Sequence, residues 1–335
     1  MSTSKNNPGI TDESAVSVDA KVAQGLKYEL KLGAATREAF GKTLVEIGKE
    51  NKDVVVSTYT AFFAKEFPER FFSCGIAEAN MVALGAGLAS SGKIAFVSSF
   101  SAFLLNKGFE QLRVTAAYPN VNLKAVGTHS GISIGEDGPT QMSIEDFALA
   151  GALPGFTVIS PADEVSMKWA IRAVAEHVGP VFVRAGRAKA PIIYSADQKF
   201  EWGKANVLRE GKDVTLIATG LLVAESLLAA DILADEGISA GVIDIMTIKP
   251  IDRDAIAKAA ADTGALVVSE EHLVDCGLGV RVAQVVSETH PAVMEFVGVD
   301  RYAESGTPDG LLDKYGLRAV NVAEAARKAI SRKRK

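Results

Sequence analysis

The sequence predicts an α/β protein of two doubly wound domains, a larger one first and a smaller one second. Two observations predict this. Short β-branched runs that are apolar throughout alternate with longer segments of helical periodicity, and such strands belong to parallel sheets covered on both faces. The alternation stops after residue 185, where turn residues and mixed polarity take over, and then resumes near residue 213. At 335 residues the chain is long enough for two such cores.

Taken in order, the first strands are expected at 53–56, 94–100, 121–127, 156–160 and 181–185. Helical spacing of apolar residues covers 35–51, 77–92, 102–118 and 163–177. Ser160-Pro161-Ala162-Asp163 looks like a helix start, with a capping oxygen, a proline at the first position and an acid in the first turn. SIED at 143–146 is a second start of the capping-box kind. Gly85 and Gly87 fall in the middle of a helix, where close helix packing explains them better than dinucleotide binding. The second set comprises strands at 214–220, 239–246 and 265–271, with helices at 222–237, at 252–264 and from Gly277. The domains divide as an arm over 1–26, a first domain over 27–190, a linker over 191–212 and a second domain over 213–335.

Composition excludes several function classes. With 48% hydrophobic and 23% charged residues the chain is an ordinary globular protein. A formal net charge of −5 gives no reason to expect nucleic acid, and the basic run at 327–335 suits the end of a helix. Two cysteines, Cys74 and Cys276, are too few for a disulfide framework, so a reducing, cytoplasmic setting is expected. No apolar run reaches the roughly 20 residues that span a bilayer. No spacing matches a zinc site, a Ser-His-Asp set or a P-loop.

Candidate site residues sit where open α/β sheets bind ligands, beyond the carboxyl ends of strands. THSGISIGEDGPTQ at 128–141 places His129, Glu136, Asp137 and Gln141 among glycines and a proline, in a turn that follows a strand. Arg187 lies just past a strand end and suits a two-pronged grip on phosphate or carboxylate, although a surface salt bridge would serve it equally. Glu78 stands before a long run of apolar and small residues. It is either a first-turn acid favoured by the helix dipole or the one polar group of an apolar pocket. His272 also follows a strand, and a structural or interface role suits it best. His177 and His290 sit at helix ends, where they cap or face solvent.

Four stretches carry a resemblance when taken together: GIAEANMVALGAGLA (75–89), FSAF (100–103), GEDGPTQMSIED (135–146) and TIKPID (247–252). The chain resembles the C-terminal half of transketolase over about residues 27–330. The resemblance implies a thiamine-diphosphate-dependent enzyme that moves a two-carbon ketol unit between sugar phosphates. It makes the first domain the pyrimidine-binding domain and the second the transketolase C-terminal domain. It implies that Glu78 is catalytic, hydrogen-bonding the cofactor's aminopyrimidine ring, with Phe100 and Phe103 as the pocket walls. His129 and Asp137 would contact sugar hydroxyls, Gln141 would lie near cofactor or substrate, and Ser57 and Arg187 would hold the substrate phosphate. Gln141 replaces the histidine of microbial and plant members, and Asn106 replaces a third aromatic.

Transketolases also use a domain with a Gly-Asp-Gly motif for metal and diphosphate, and no Gly-Asp-Gly occurs in this sequence. The expectation is a split transketolase, active only with a partner subunit that carries that domain and binds most of the Mg²⁺ or Ca²⁺, in an A2B2 assembly. DVVVSTYT (53–60) also runs straight from strand to Ser57-Thr58, without the family's Asp-x-Asp loop. The alternatives are the β subunit of a 2-oxo acid dehydrogenase, a deoxyxylulose phosphate synthase type, or a non-catalytic regulatory subunit.

Overall fold

The computed structural model describes residues 30–57 and 60–333; the arm expected over 1–26 and Thr58 lie outside them. The chain opens with β1 (Leu32–Ala35), α1 (Thr36–Glu50), β2 (Val54–Ser57), α2 (Ala61–Glu66), β3 (Phe71–Phe72), α3 (Glu78–Ser90) and β4 (Ile94–Phe100). Next come α4 (Ser101–Gln111), β5 (Leu123–Thr128), α5 (Asp146–Ala152), β6 (Thr157–Ile159), α6 (Glu164–Glu176), β7 (Val181–Arg184) and β8 (Lys189–Pro191). The second half holds β9 (Asn206–Arg209), β10 (Val214–Ala218), α7 (Leu222–Asp235), β11 (Ala240–Asp244), β12 (Thr247–Lys249) and α8 (Arg253–Thr263). It ends with β13 (Ala265–Leu273), α9 (Leu278–Glu288), β14 (Val293–Val299), α10 (Pro308–Lys314) and α11 (Ala319–Lys333).

The first sheet has the order β12-β6-β7-β5-β4-β2-β3 and the second β14-β13-β10-β11-β9. Both are parallel except where β12 joins β6 and β9 joins β11. Apolar strands let both faces bury. Val54, Val56, Phe96, Val126 and Val183 face α1 and α6, which contribute Phe40, Leu44, Met167 and Ile171. The alternate residues Val55, Val97, Ala125 and Phe182 face a cluster that continues through Ile256 and Val282 to Ile217 and Val268 of the second sheet. One hydrophobic core therefore runs from domain to domain.

Local expectations needed three corrections. The helix expected from Ser160-Pro161 starts later, because Asp163 is the cap: it accepts from Ser166 N at 2.8 Å, and Ser166 Oγ accepts in return from Asp163 N at 3.0 Å. Ser143 does not cap α5; its hydroxyl is buried without a partner among the described residues, and Glu145 occupies the cap position. The helix over 102–118 is α-helical only to Gln111 and continues as a wider π turn over Leu112–Ala117. β12 was not expected at all. Three residues leave the second domain and pair antiparallel with β6, Thr247 opposite Ile159.

Candidate active site

The strand order places β7, β5, β4 and β2 side by side. Their carboxyl ends lead to Arg187, His129, Phe100 and Ser57, so four residues far apart in sequence line one edge of the sheet.

Glu78 is the first residue of α3 and is 7% exposed. It is an acid at a helix N-terminus, as the dipole favours, and both of its carboxylate oxygens have partners from the neighbouring elements. Ser99 Oγ donates to its Oε1 at 3.4 Å, and the Lys107 ammonium stands 3.5 Å from its Oε2. α4 comes this close because Gly108 faces α3: a Cβ there would lie 3.1 Å from Val82 Cγ2 and 3.7 Å from the Glu78 carbonyl oxygen. Lys107 also lies 4.4 Å above the Phe103 ring.

Phe100 and Phe103 stack with ring centroids 5.6 Å apart and planes within 3°. Phe100 in turn stacks on His129 at 3.8 Å. His129 takes a positive φ of 58°, one that histidine tolerates better than most residues, and its Nδ1 is 2.8 Å from Thr128 Oγ1. Burial, then the Arg37 and Arg187 charges, lower its pKa to about 4, with Asp137 opposing. The imidazole is neutral at physiological pH.

Arg187 Nη1 donates to the Ile134 carbonyl and to Asp137 Oδ1, both at 3.0 Å. The pair is one-third exposed, which makes the contact cheap to break. Arg37, at the start of α1, escaped the sequence reading. Its Nη1 is 3.4 Å from His129 Nε2, and its own segment is fixed to the Arg187 turn by Thr36 Oγ1, which accepts from Gly186 N at 2.8 Å. In sequence it looks like any first-turn surface cation; the neighbouring Thr36 is the feature that ties it to the site.

The structure thus brings Glu78, Phe100, Phe103, His129, Asp137 and Arg187 into one chain of contacts. Ser57 and Gln141 stand apart from it. The Ser57 hydroxyl is buried with no partner among the described residues, and the Gln141 side chain accepts from Thr140 Oγ1. His272 is not in the pocket. It is fully buried between the domains, 3.6 Å from Asp146 and 3.8 Å from Glu270, and burial lowers its pKa to about 4. His177 caps the C-terminus of α6 and stacks on Trp202 at 4.8 Å. Among the described residues no cluster of three or more His, Cys, Asp or Glu is arranged for a metal.

A heteroaromatic ring fits the chemistry of what is present: flat parallel side chains stand beside a buried carboxylate that can hydrogen-bond a ring nitrogen, and the Ser57 hydroxyl has no partner among the described residues.

Residues 33–192 match the model of the transketolase pyrimidine-binding domain, and residues 203–322 match that of the transketolase C-terminal domain. The chain is 43% identical over 299 residues to a putative transketolase C-terminal section of Methanocaldococcus jannaschii, covering 86% of this chain and 94% of that one. It is 40% identical over 282 residues to the 6-deoxy-6-sulfo-D-fructose transketolase subunit SqwH of Clostridium sp. strain MSTE9, covering 84% and 88%. A solved structure described as a split gene transketolase, inactive β4 tetramer, superposes with a TM-score of 0.85 at 45% identity, over 89% of this chain and 99% of that one.

Proposed function

Because the chain belongs to the transketolase family, we propose that it is one subunit of a split, thiamine-diphosphate-dependent transketolase that transfers a two-carbon ketol unit between sugar phosphates. The observation that carries this reading is the row of strand ends that sets a buried carboxylate, two stacked phenylalanines, a neutral histidine and an arginine along one edge. The split reading draws on relatives that this chain covers almost completely and that are themselves described as a section or a subunit. A partner subunit supplies the diphosphate-binding domain and the Mg²⁺ or Ca²⁺, in an A2B2 assembly.

When bound, thiamine diphosphate supplies a carbon nucleophile and an electron sink for breaking and remaking the sugar's carbon–carbon bond. Glu78 holds a proton at the aminopyrimidine ring nitrogen, and its dry surroundings strengthen that bond. Lys107, which pairs with Glu78 in this structure, would yield the carboxylate to such a ring. Phe100 and Phe103 wall the ring and keep water out. His129, neutral, can both donate to and accept from sugar hydroxyls, and Asp137 accepts from another. Arg187 exchanges Asp137 for the substrate phosphate, joined by Arg37 and Ser57. Gln141 contributes an amide at the pocket rim.

The test is calorimetric titration of thiamine diphosphate with Mg²⁺ into this chain, alone and with the partner subunit, followed by a transfer assay on xylulose 5-phosphate. Binding and transfer only in the mixture are expected. Absence of both in the mixture sinks the proposal in favour of a non-catalytic subunit.

A further inference from the structure

We infer that Glu271, a residue of the second domain, is a positioning residue for the candidate site, fixing the turn between His129 and Asp137. It lies on β13, 4% exposed. Its Oε1 accepts from the Ser133 backbone N–H at 2.6 Å. The turn is moulded on the carboxylate: at Gly131, with φ of 82°, a Cβ would stand 2.2 Å from the Glu271 carboxyl carbon. The Glu271 carbonyl accepts from Arg184 Nη2 at 2.9 Å, and Arg184 Nε donates to Asp146 Oδ2 at 2.8 Å. Asp146 Oδ2 also accepts from Ser101 Oγ at 3.0 Å, and Ser101 lies between the two pocket phenylalanines. One buried chain of polar contacts thus links the second domain to both the loop and the aromatic wall.

The arrangement has a use beyond holding the domains together. Two ionisable side chains hydrogen-bond Ser133–Asp137, Glu271 from the buried side and Arg187 from the exposed side, and the turn also packs closely on Pro308 at Gly135. On the proposed function, on which the word substrate here rests, Arg187 leaves Ile134 and Asp137 when it takes a phosphate. Glu271 then keeps the turn in place, so that His129 and Asp137 meet the sugar at set positions. A buried carboxylate costs desolvation that an apolar residue would avoid, and burial raises the pKa of this one. A small cavity of about 30 Å³, to which Ser133 and Glu271 contribute polar atoms and Pro161, Ala190 and Leu221 apolar ones, has room for about one water. Water could take over the Ser133 N–H after truncation but would not hold the turn.

Hydrogen exchange on the full chain, alone and with its partner, reads this without any substrate. In Glu271→Ala the amides of residues 131–138 are expected to exchange roughly tenfold faster, as suits a buried N–H left without its acceptor, with β5 and β13 unchanged. Glu271→Gln keeps an acceptor oxygen and is expected near the wild-type rate. If Glu271→Ala does not fold, Gly131→Ala displaces the same contact from the loop's side and is expected to loosen the same amides. Unchanged exchange at 131–138, or equal acceleration in the sheets, overturns the inference. In the transfer assay Glu271→Ala should raise KM for the phosphosugar far more than it lowers kcat, with rescue in Glu271→Gln. A loosened loop with an unmoved KM also overturns it. If wild-type protein shows no transfer, the proposed function falls while the exchange result still decides the anchor.

Discussion

Gly85 and Gly87 sit in one turn of α3, and alanine at each separates packing from helix propensity. At Gly85 a Cβ would lie 2.4 Å from Val97 Cγ1 and 2.9 Å from Leu123 Cδ1, on two residues with no solvent exposure. Carbon atoms pack at about 3.5–4.0 Å, so the methyl requires α3 and the sheet to part by roughly 1 Å. Such overpacking costs about 1–3 kcal/mol, against about 1 kcal/mol gained from the better helix propensity of alanine. At Gly87 a Cβ meets nothing within 4 Å, and the gain stands alone. Urea unfolding should therefore place Gly87→Ala above wild type by up to about 1 kcal/mol and Gly85→Ala at or below it. The gap between the two variants, about 1–3 kcal/mol, is the packing term itself. Coincident midpoints would refute the close seating of α3 on Val97 and Leu123. Glu78 begins the same helix, so Gly85→Ala should also lower transfer activity, by as much as about 100-fold for a 1 Å misplacement.

Three further outcomes are expected. Glu78→Gln keeps the fold, being isosteric and able to hold the Ser99 contact, but removes most of the transfer activity of the assembled enzyme; unchanged turnover refutes its role. Arg187→Ala raises KM for phosphorylated donors roughly tenfold or more, the worth of a charge-assisted bond, and leaves unphosphorylated donors little changed; an equal effect on both refutes the phosphate assignment. His129 has a folded pKa of about 4 against an ordinary 6.5, so the unfolded chain takes up this proton first as pH falls. Its share of stability is whole above about pH 6.5 and is lost between there and about 4. His129→Asn tolerates the same positive φ, so wild type should lose ground to the variant between pH 7 and 4.5; a stability difference that stays constant with pH refutes the shift.

The alternation of elements was legible because buried parallel strands must be apolar on both faces, as Val54–Val56 and Val181–Val183 are. The site's strand-end residues were legible for a related reason: a polar side chain directly after such a run has few structural duties. What stayed hidden depends on contacts distant in sequence. Nothing in Thr247–Lys249 says that it leaves its own domain to pair with β6. Ser160 and Asp163 are both competent caps, and the choice fell to Asp163 because its other oxygen also accepts from Ile193 N and Tyr194 N, 30 and 31 residues ahead. Glu270, Glu271 and His272 carried a readable anomaly, three titratable groups inside one strand pattern. Charged residues are seldom fully buried unless paired, so the stretch announced partners without naming them. Glu270 finds the backbone N–H groups of Leu278 and Gly279 at 2.7 and 2.8 Å, and Glu271 finds Ser133.

The charges of the site are already matched to one another in the chain by itself. Glu78 faces Lys107, and Arg187 holds Asp137. A buried carboxylate left alone would cost several kcal/mol, and the pairing with Lys107 offsets part of that cost for Glu78. The same pairing sets the terms of binding. On the proposed function, a ligand group at Glu78 or at Arg187 displaces an internal partner that is at least one-third exposed and weakly held, Lys107 at 3.5 Å and 53% side-chain exposure being the plainest case. Exchange of this kind costs little and releases groups that are already aimed: Asp137 is set free as Arg187 turns away. On the proposed function, a subunit that is stable and silent alone becomes competent when the second half of the cofactor site arrives, without having to bury any new uncompensated charge.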